Sequence, residues 1–396
     1  MRKAHWLVLS AAALAVATGC VAYIMLRDTA AERAPRSTQD LMAARRAEDM
    51  ARASELRELT SRFLSRMAAK PQPASLEILV ISGGGDWGAF GAGVLKGWAR
   101  VKGELARPQF DIVTGVSTGG LIAPFAFLGD EQSIERIVQL YRNPYSDIAV
   151  SRSALFFLPN NPSFYVLPGL ERQLQATVDQ PMVERLAAEE ASGRILLVNT
   201  TNIDLGDNRA WNLLAAARQA LATKDNARLH AIMLASAGIP GVFPARSIGE
   251  YLYVDGAITG NILYAGESGG RGGGLLARWK AEHPRAPMPR VRYWVIFNNQ
   301  LRFPPEIIRN RWPDLINRAT IMGTQTSTVN SLRHLYALAE LEKLRSGAEV
   351  QVRLISVPEE WVPSKPGTFV KEVMNQLADL GEKLGADPAS WRSETP

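Results

Sequence analysis

The sequence predicts a three-layer α/β domain with a mostly parallel central sheet, running from about residue 74 to residue 396. Short apolar runs alternate with segments of helical periodicity along this stretch, the pattern of strands joined by covering helices. Two of the strands, at 76–81 and 110–113, run into glycine-rich turns that lead into helices. No internal repeat is visible.

Composition bounds the rest. The 396 residues are 46% hydrophobic and 21% charged, enough for a sizeable core in one large domain or two smaller ones. The formal net charge of +6 is spread without basic blocks or interleaved aromatics. That argues against a nucleic-acid partner and leaves an anionic membrane surface open. The single cysteine, Cys20, excludes an intrachain disulfide and a cysteine-based metal site.

Residues 1–26 read as a targeting segment. Arg2 and Lys3 precede an apolar run from Trp6 to Leu26, with Cys20 inside it after Ala17-Thr18-Gly19. In one reading the run resembles a bacterial lipoprotein signal, cleaved before a lipidated Cys20. In the other it is an uncleaved single-span anchor, which the apolar residues 21–26 favour. Both tether the body of the protein to a membrane, outside the cytoplasm; the plain alternative is a buried helix of the fold. Residues 27–73 read as a helical spacer bounded by Pro35 and Pro71, with Leu56, Leu59, Phe63 and Met67 at helical spacing.

The strand at 76–81 enters Ser82-Gly83-Gly84-Gly85-Asp86-Trp87-Gly88, where successive backbone N–H groups can converge on an anion. Gly83, Gly85 and Gly88 also fit the dinucleotide fingerprint G-x-G-x-x-G. That fingerprint wants a carboxylate at the far end of the second strand. Here the far end carries Gly115-Val116-Ser117-Thr118-Gly119, and Asp111 sits at the near end. The turn reads as a strand-turn-helix with Ser117 at its tip, between Gly115 and Gly119. A second G-x-S-x-G, Gly266-Glu267-Ser268-Gly269-Gly270, has no strand feeding it and lies in a glycine-rich stretch that reads as a mobile loop.

Residues 130–179 read as a loop-rich insertion with four prolines and the aromatic residues Phe156, Phe157, Phe164 and Tyr165. These side chains suit either an acyl-chain wall or ordinary core contacts. A strand at 194–200, a turn into a pairing strand, and a helix at 227–236 follow. The helix ends in Gly238-Ile239-Pro240-Gly241-Val242-Phe243-Pro244, and a short strand at 251–254 stops at Asp255-Gly256-Ala257. A strand at 291–297, helices at about 305–343 and 369–384, and a strand at 350–357 complete the chain.

Together these segments resemble the patatin-like phospholipase family, acyl hydrolases with a serine–aspartate dyad on an α/β sheet. The resemblance covers about residues 76–297. The family's oxyanion segment matches 83–88, its nucleophile turn 115–119, its Ala-Ser-x-x-Ile-Pro-x-x-Phe-Pro signature 235–244, and its aspartate Asp255. Trp87 stands where the family usually has arginine or lysine, so a cation able to help hold a phosphate or the oxyanion is missing. The resemblance implies hydrolysis of carboxylic esters of lipids through an acyl-enzyme, with Ser117 as nucleophile and Asp255 as base. The backbone around Gly83, Gly84, Gly85, Gly88 and Thr118 then forms the oxyanion hole. It implies no metal, no cofactor and no catalytic histidine. Of the four histidines, His5 lies in the targeting segment and His230 and His334 in helices. His283, which follows Asp255 in the order of an α/β-hydrolase triad, is the rival base. An acyltransferase on the same dyad and a catalytically silent membrane-tethered scaffold are the alternative functions.

Overall fold

The computed structural model describes residues 33, 35–152, 161–264 and 274–396. Cys20 and the rest of the targeting segment, His5, Phe156, Phe157 and Ser268 lie outside the described residues. In chain order the strands are β1 (Ser75–Ile81), β2 (Ile112–Val116), β3 (Val150–Ser151), β4 (Tyr165–Val166), β5 (Ile195–Asn202), β6 (Asp207–Asn212), β7 (Arg246–Ile248), β8 (Tyr251–Asp255), β9 (Arg290–Phe297) and β10 (Val350–Ser356). The helices are α1 (Thr38–Ala68), α2 (Gly88–Trp98), α3 (Thr118–Leu128), α4 (Glu131–Arg142), α5 (Pro168–Thr177), α6 (Gln180–Ala188), α7 (Leu213–Thr223), α8 (Ala227–Ser236), α9 (Leu275–Glu282), α10 (Trp312–Ser346) and α11 (Lys371–Gly385).

Strands β10, β9, β1, β2 and β5 lie side by side and parallel, while β6, β7 and β8 join antiparallel. Alternation along each strand divides the apolar residues between two cores. Leu79, Ile81, Trp294 and Ile296 face one core, shared with α2, α3 and α11. Leu76, Ile78, Val80, Val291 and Val295 face the other, roofed by α1, α9 and the C-terminal half of α10. The sequence therefore folds as three layers, with the parallel strands apolar on both sides.

The spacer helix α1 belongs to that second layer. Leu59, Phe63, Leu64 and Met67 are buried, and Lys70 and Arg66 close on the buried Asp111 carboxylate at 2.5 and 3.5 Å. Midway along the helix, Arg52 reaches Asp207 at 2.9 Å. Among the described residues no helix is long and apolar enough to cross a membrane.

The expected loop-rich insertion at 130–179 is in part helical, and this corrects the sequence reading. Asp130 caps α4 by accepting from the Ser133 N–H at 3.0 Å, and Ile134, Ile137, Val138 and Tyr141 give it a buried face. The prolines that suggested a loop fall outside it, and Pro168 is the first residue of α5, where a missing N–H costs nothing. Helices α7 and α9 also escaped the sequence reading, and α10 starts at Trp312 instead of near residue 305.

The C-terminal residues are integral to the domain. β10 extends the sheet beside β9, and α11 lies against α2 with the two backbones nearly touching. A Cβ at Gly93 would sit 2.1 Å from the Ala378 carbonyl oxygen, and one at Gly381 would sit 2.1 Å from that of Phe90. Glycine is required at this crossing because nothing larger fits. Gly381→Leu is expected to destabilise the fold by about 1–3 kcal/mol, whereas Lys383→Leu on the exposed face changes little; urea denaturation followed by circular dichroism measures both.

Candidate active site

Two strands bring the central pair of residues together. β6 occupies one edge of β5 along residues 197–202. The other edge is shared end to end, with β2 paired along 195–199 and β8 antiparallel along 200–202. Val116 therefore stands opposite Asn199, and Asp255 opposite Thr200, its neighbour. The chain leaving β2 and the chain leaving β8 meet head-on, one residue apart along β5.

The first residue after β2 is Ser117, with φ 53° and ψ −125°, and α3 starts at Thr118. A side-chain-bearing residue in this region costs on the order of 1–3 kcal/mol, so its surroundings must impose it. Gly119 lets the turn press onto β1: a Cβ there would lie 2.2 Å from the Ile81 carbonyl oxygen. The Ser117 N–H donates to the Ser236 hydroxyl at 2.9 Å, and that hydroxyl donates to the Asn199 carbonyl at 2.7 Å. Ser236 thus ties the turn to β5.

The Ser117 hydroxyl donates to Asp255 Oδ2 at 2.7 Å. Asp255 is 1% exposed, and its Oδ1 accepts from the Ala257 N–H at 2.8 Å. Burial pushes the carboxyl up to about 7, against these two donors, which favour the charged form. Chemically, the pair is a buried hydroxyl already bonded to a carboxyl group able to take up a proton near neutral pH.

The glycine turn lies beside this pair. Gly84 and Gly85 have N–H groups with no partner among the described residues, and so does Thr118 at the start of α3, where helix N–H groups are free by geometry. Two of the expected donors are engaged elsewhere. The Gly83 N–H donates to Asn261 Oδ1 at 2.8 Å, and the Gly88 N–H turns back to the carbonyls of Asp86 and Gly85. Gly88 instead makes room, since a Cβ there would strike the Thr118 and Tyr141 hydroxyls, which touch each other.

Residues far along the chain hold this turn. Asn298 Nδ2 donates to the Ser82 carbonyl at 2.8 Å. The buried Asp86 accepts from the Phe369 N–H at 2.7 Å, and Phe369 itself has a positive φ of 57°. Trp87 packs edge-on against Trp361 at 5.0 Å between ring centres, so an aromatic pair stands where the resemblance implies a cation. Phe164 and Tyr165 dock through their N–H groups on the Gly241 and Val242 carbonyls, and Tyr165 lies 6.1 Å from the Phe243 ring. No isolated motif marks Asn261, Asn298 or Phe369, whereas Ser236 sits inside the 235–244 signature.

The described histidines lie elsewhere. His230 bonds the Val178 carbonyl at 2.9 Å, His334 bonds the Tyr264 hydroxyl at 2.8 Å, and His283 packs tilted against Trp279 at 4.5 Å between ring centres. None of them bonds to Asp255.

Comparison with known proteins follows this geometry. Residues 79–265 match the family model described as Patatin-like phospholipase. No curated protein matches the chain. Among solved structures, VipD from Legionella pneumophila is similar at 11% identity and a TM-score of 0.36, over 78% of this chain and 66% of that one, just under two thirds of its length. The matched stretch runs from β1 through the glycine turn, the Ser117 turn and Asp255 to the residue after Tyr264, so this part of the chain, just under half of it, is similar to the patatin-like phospholipase family.

Proposed function

We propose that the chain hydrolyses carboxylic esters of lipids through a Ser117–Asp255 dyad and a covalent acyl-enzyme. The observation that carries this reading is the 2.7 Å bond from the Ser117 hydroxyl to a carboxylate that is otherwise shut off from water. In the first half-reaction Ser117 Oγ bonds to the ester carbonyl carbon while its proton passes to Asp255. The negative charge that forms on the carbonyl oxygen faces the N–H groups of Gly84, Gly85 and Thr118. Asp255 then returns the proton to the departing alkoxide as its bond to carbon breaks. Water repeats the sequence on the acyl-enzyme, giving up its proton to Asp255 and releasing the fatty acid and Ser117.

An aspartate with the usual pKa would be a poor base for a serine hydroxyl. Desolvation narrows that gap by raising the carboxyl to about 7. The targeting segment gives the reading its place: we propose that residues 1–26 tether the domain to a membrane. Arg33, seven residues beyond Leu26, is held to both carboxylate oxygens of Asp204 at 2.5 and 2.7 Å and to the Glu250 carbonyl at 2.8 Å. These partners lie at the C-terminal end of β5 and the start of β8, the same end of the sheet as Ser117. Mass spectrometry of the mature N-terminus tests the form of the tether. A diacylated Cys20 marks a lipoprotein, an intact start at Met1 or Arg2 marks an anchor, and soluble protein retaining residues 1–26 would contradict both.

Ser117→Ala is expected to abolish ester hydrolysis and labelling by a fluorophosphonate, while Ser268→Ala leaves both intact. Asp255→Asn is expected to lower the rate by several orders of magnitude, and His283→Ala to change it little. Labelling that persists in Ser117→Ala, or equal damage from His283→Ala in folded protein, would defeat the dyad.

The raised carboxyl gives two pH signatures. Only the deprotonated Asp255 accepts a proton, so kcat/KM on a soluble ester is expected to rise with pH and level off above about 7. Stability runs the other way. Between the ordinary aspartate range and pH 7 the unfolded chain releases a proton that the folded chain keeps, so this site destabilises the fold progressively over that window. Asp255→Asn is therefore expected to stabilise the fold at pH 8 by on the order of 2–4 kcal/mol, and to have almost no such effect below pH 4. Thermal denaturation at the two pH values checks it.

A further inference from the structure

Helix α10 carries exposed apolar residues in the part that runs beyond the domain it packs on. Val329, Leu332, Tyr336 and Ala339 are buried in the second core. Toward the N-terminus, Met322, Ala319, Ile316, Leu315 and Trp312 share a second face, turned by about 120° from the buried one at 3.6 residues per turn. The first buried residue of the helix is Gln325. Trp312 is 73%, Ile316 58% and Leu315 47% exposed, and the preceding loop adds Ile307 at 100%. A second apolar face thus lies past the sheet with nothing among the described residues covering it.

Its position is fixed by the catalytic end of the sheet. Thr328 accepts from Asn261 Nδ2 at 3.1 Å, and Asn261 Oδ1 accepts from the Gly83 N–H beside Ser117. The buried half of α10 lies against Leu76, Val291 and Val350 at the N-terminal ends of their strands, so the helix runs antiparallel to the sheet and its first half projects beyond the active-site end. The sixteen residues from Thr328 back to Trp312 span roughly 24 Å at 1.5 Å each. The loop at 302–311 folds back on this spur, with Arg318 over the Phe303 ring at 4.0 Å and bonded to the Pro304 carbonyl at 2.7 Å.

We infer that this spur, residues 302–322, is a docking element for the surface of an anionic lipid bilayer. Three observations select that occupant. Trp312, Leu315 and Ile316 supply the apolar side chains that enter the headgroup–acyl boundary. The segment holds four arginines, Arg302, Arg309, Arg311 and Arg318, against Glu306 and Asp314, leaving two positive charges in excess. Both acids are already paired, Glu306 with Arg318 at 3.1 Å and Asp314 with Arg309 at 3.0 Å. Finally, the apolar run that ends at Leu26 joins the domain at Arg33, on the same end of the sheet. Seven links of about 3.6 Å reach roughly 25 Å, the same height as the spur. A bilayer holding residues 6–26 therefore lies within the spur's reach. Docked in this way, the spur holds the Ser117 site facing the lipid; this part rests on the hydrolase reading.

The test uses the full chain reconstituted in vesicles of phosphatidylcholine with and without 30% phosphatidylglycerol. An environment-sensitive fluorophore is placed at residue 316 (Ile316→Cys) or, as control, at exposed Lys102 (Lys102→Cys), each with Cys20→Ser. Quenching by lipids brominated on the acyl chain is expected to be several-fold stronger at 316 than at 102, and stronger again with phosphatidylglycerol. Equal quenching at the two positions overturns the proposal. So does a residue-316 probe already shielded without lipid and cross-linked to residues 6–26, to another segment, to a second copy or to another protein. In a second arm, Leu315→Glu with Ile316→Glu is expected to lower hydrolysis of vesicle lipid about tenfold and to leave hydrolysis of a soluble short-chain ester within twofold. Equal loss on both substrates counts against docking. If the unsubstituted chain hydrolyses neither substrate, the hydrolase reading fails, and the quenching arm still decides the docking.

Discussion

The arrangement of the site depends on one edge of β5 serving two strands. Parallel β2 and antiparallel β8 each take part of that edge and run toward one another, so both chains must turn away where they meet. One turn carries Ser117 and the other begins at Asp255. The hydrogen-bond register of the sheet, not a flexible loop, therefore sets their separation, and a side chain placed by a backbone ladder is held more tightly than one placed by a loop. Ser236 fastens the junction by linking the Ser117 N–H to the Asn199 carbonyl.

That junction is also where the fold accepts unfavourable local states. Ser117 has a backbone conformation that most side chains avoid, and Asp255 is a carboxyl group almost wholly removed from water. Both are held by the surrounding contacts: glycines at 115 and 119 admit the tight turn, and two donors among the described residues partly compensate Asp255 for lost hydration. Strain and desolvation are thus concentrated at one place in an otherwise apolar sheet, the pattern expected of a candidate functional site on a stabilising scaffold.

Much of this was legible in the sequence, for identifiable reasons. Strand-length apolar runs ending in glycine turns marked β1 and β2, and the positions of Ser117 and Asp255 at strand ends followed from where those runs stop. Residues whose roles come from partners distant in the chain were not legible. Asn261 reaches back 178 positions to Gly83 and Phe369 reaches back 283 to Asp86, and neither lies in a local pattern that announces the contact. Helix α4 was missed because the prolines around it were read as belonging to it, although its own Ile134, Ile137, Val138 and Tyr141 repeat at helical spacing. The assignment of Gly83 and Gly88 as donors misjudged them for a related reason: a glycine run shows that the backbone is crowded, not which N–H groups stay free.

The backbone contact between α2 and α11 carries a consequence for the order in which the protein can come into being. α2 starts directly after the glycine turn, yet it is packed by a helix made more than 270 residues later, at 371–385, and Asn298 and Phe369 also arrive late. A ribosome must pass residue 369 before the last supports of the turn exist. Ser117 and its neighbours are thus translated early but completed last, and a prematurely terminated chain contains this serine without the framework that gives its turn a shape.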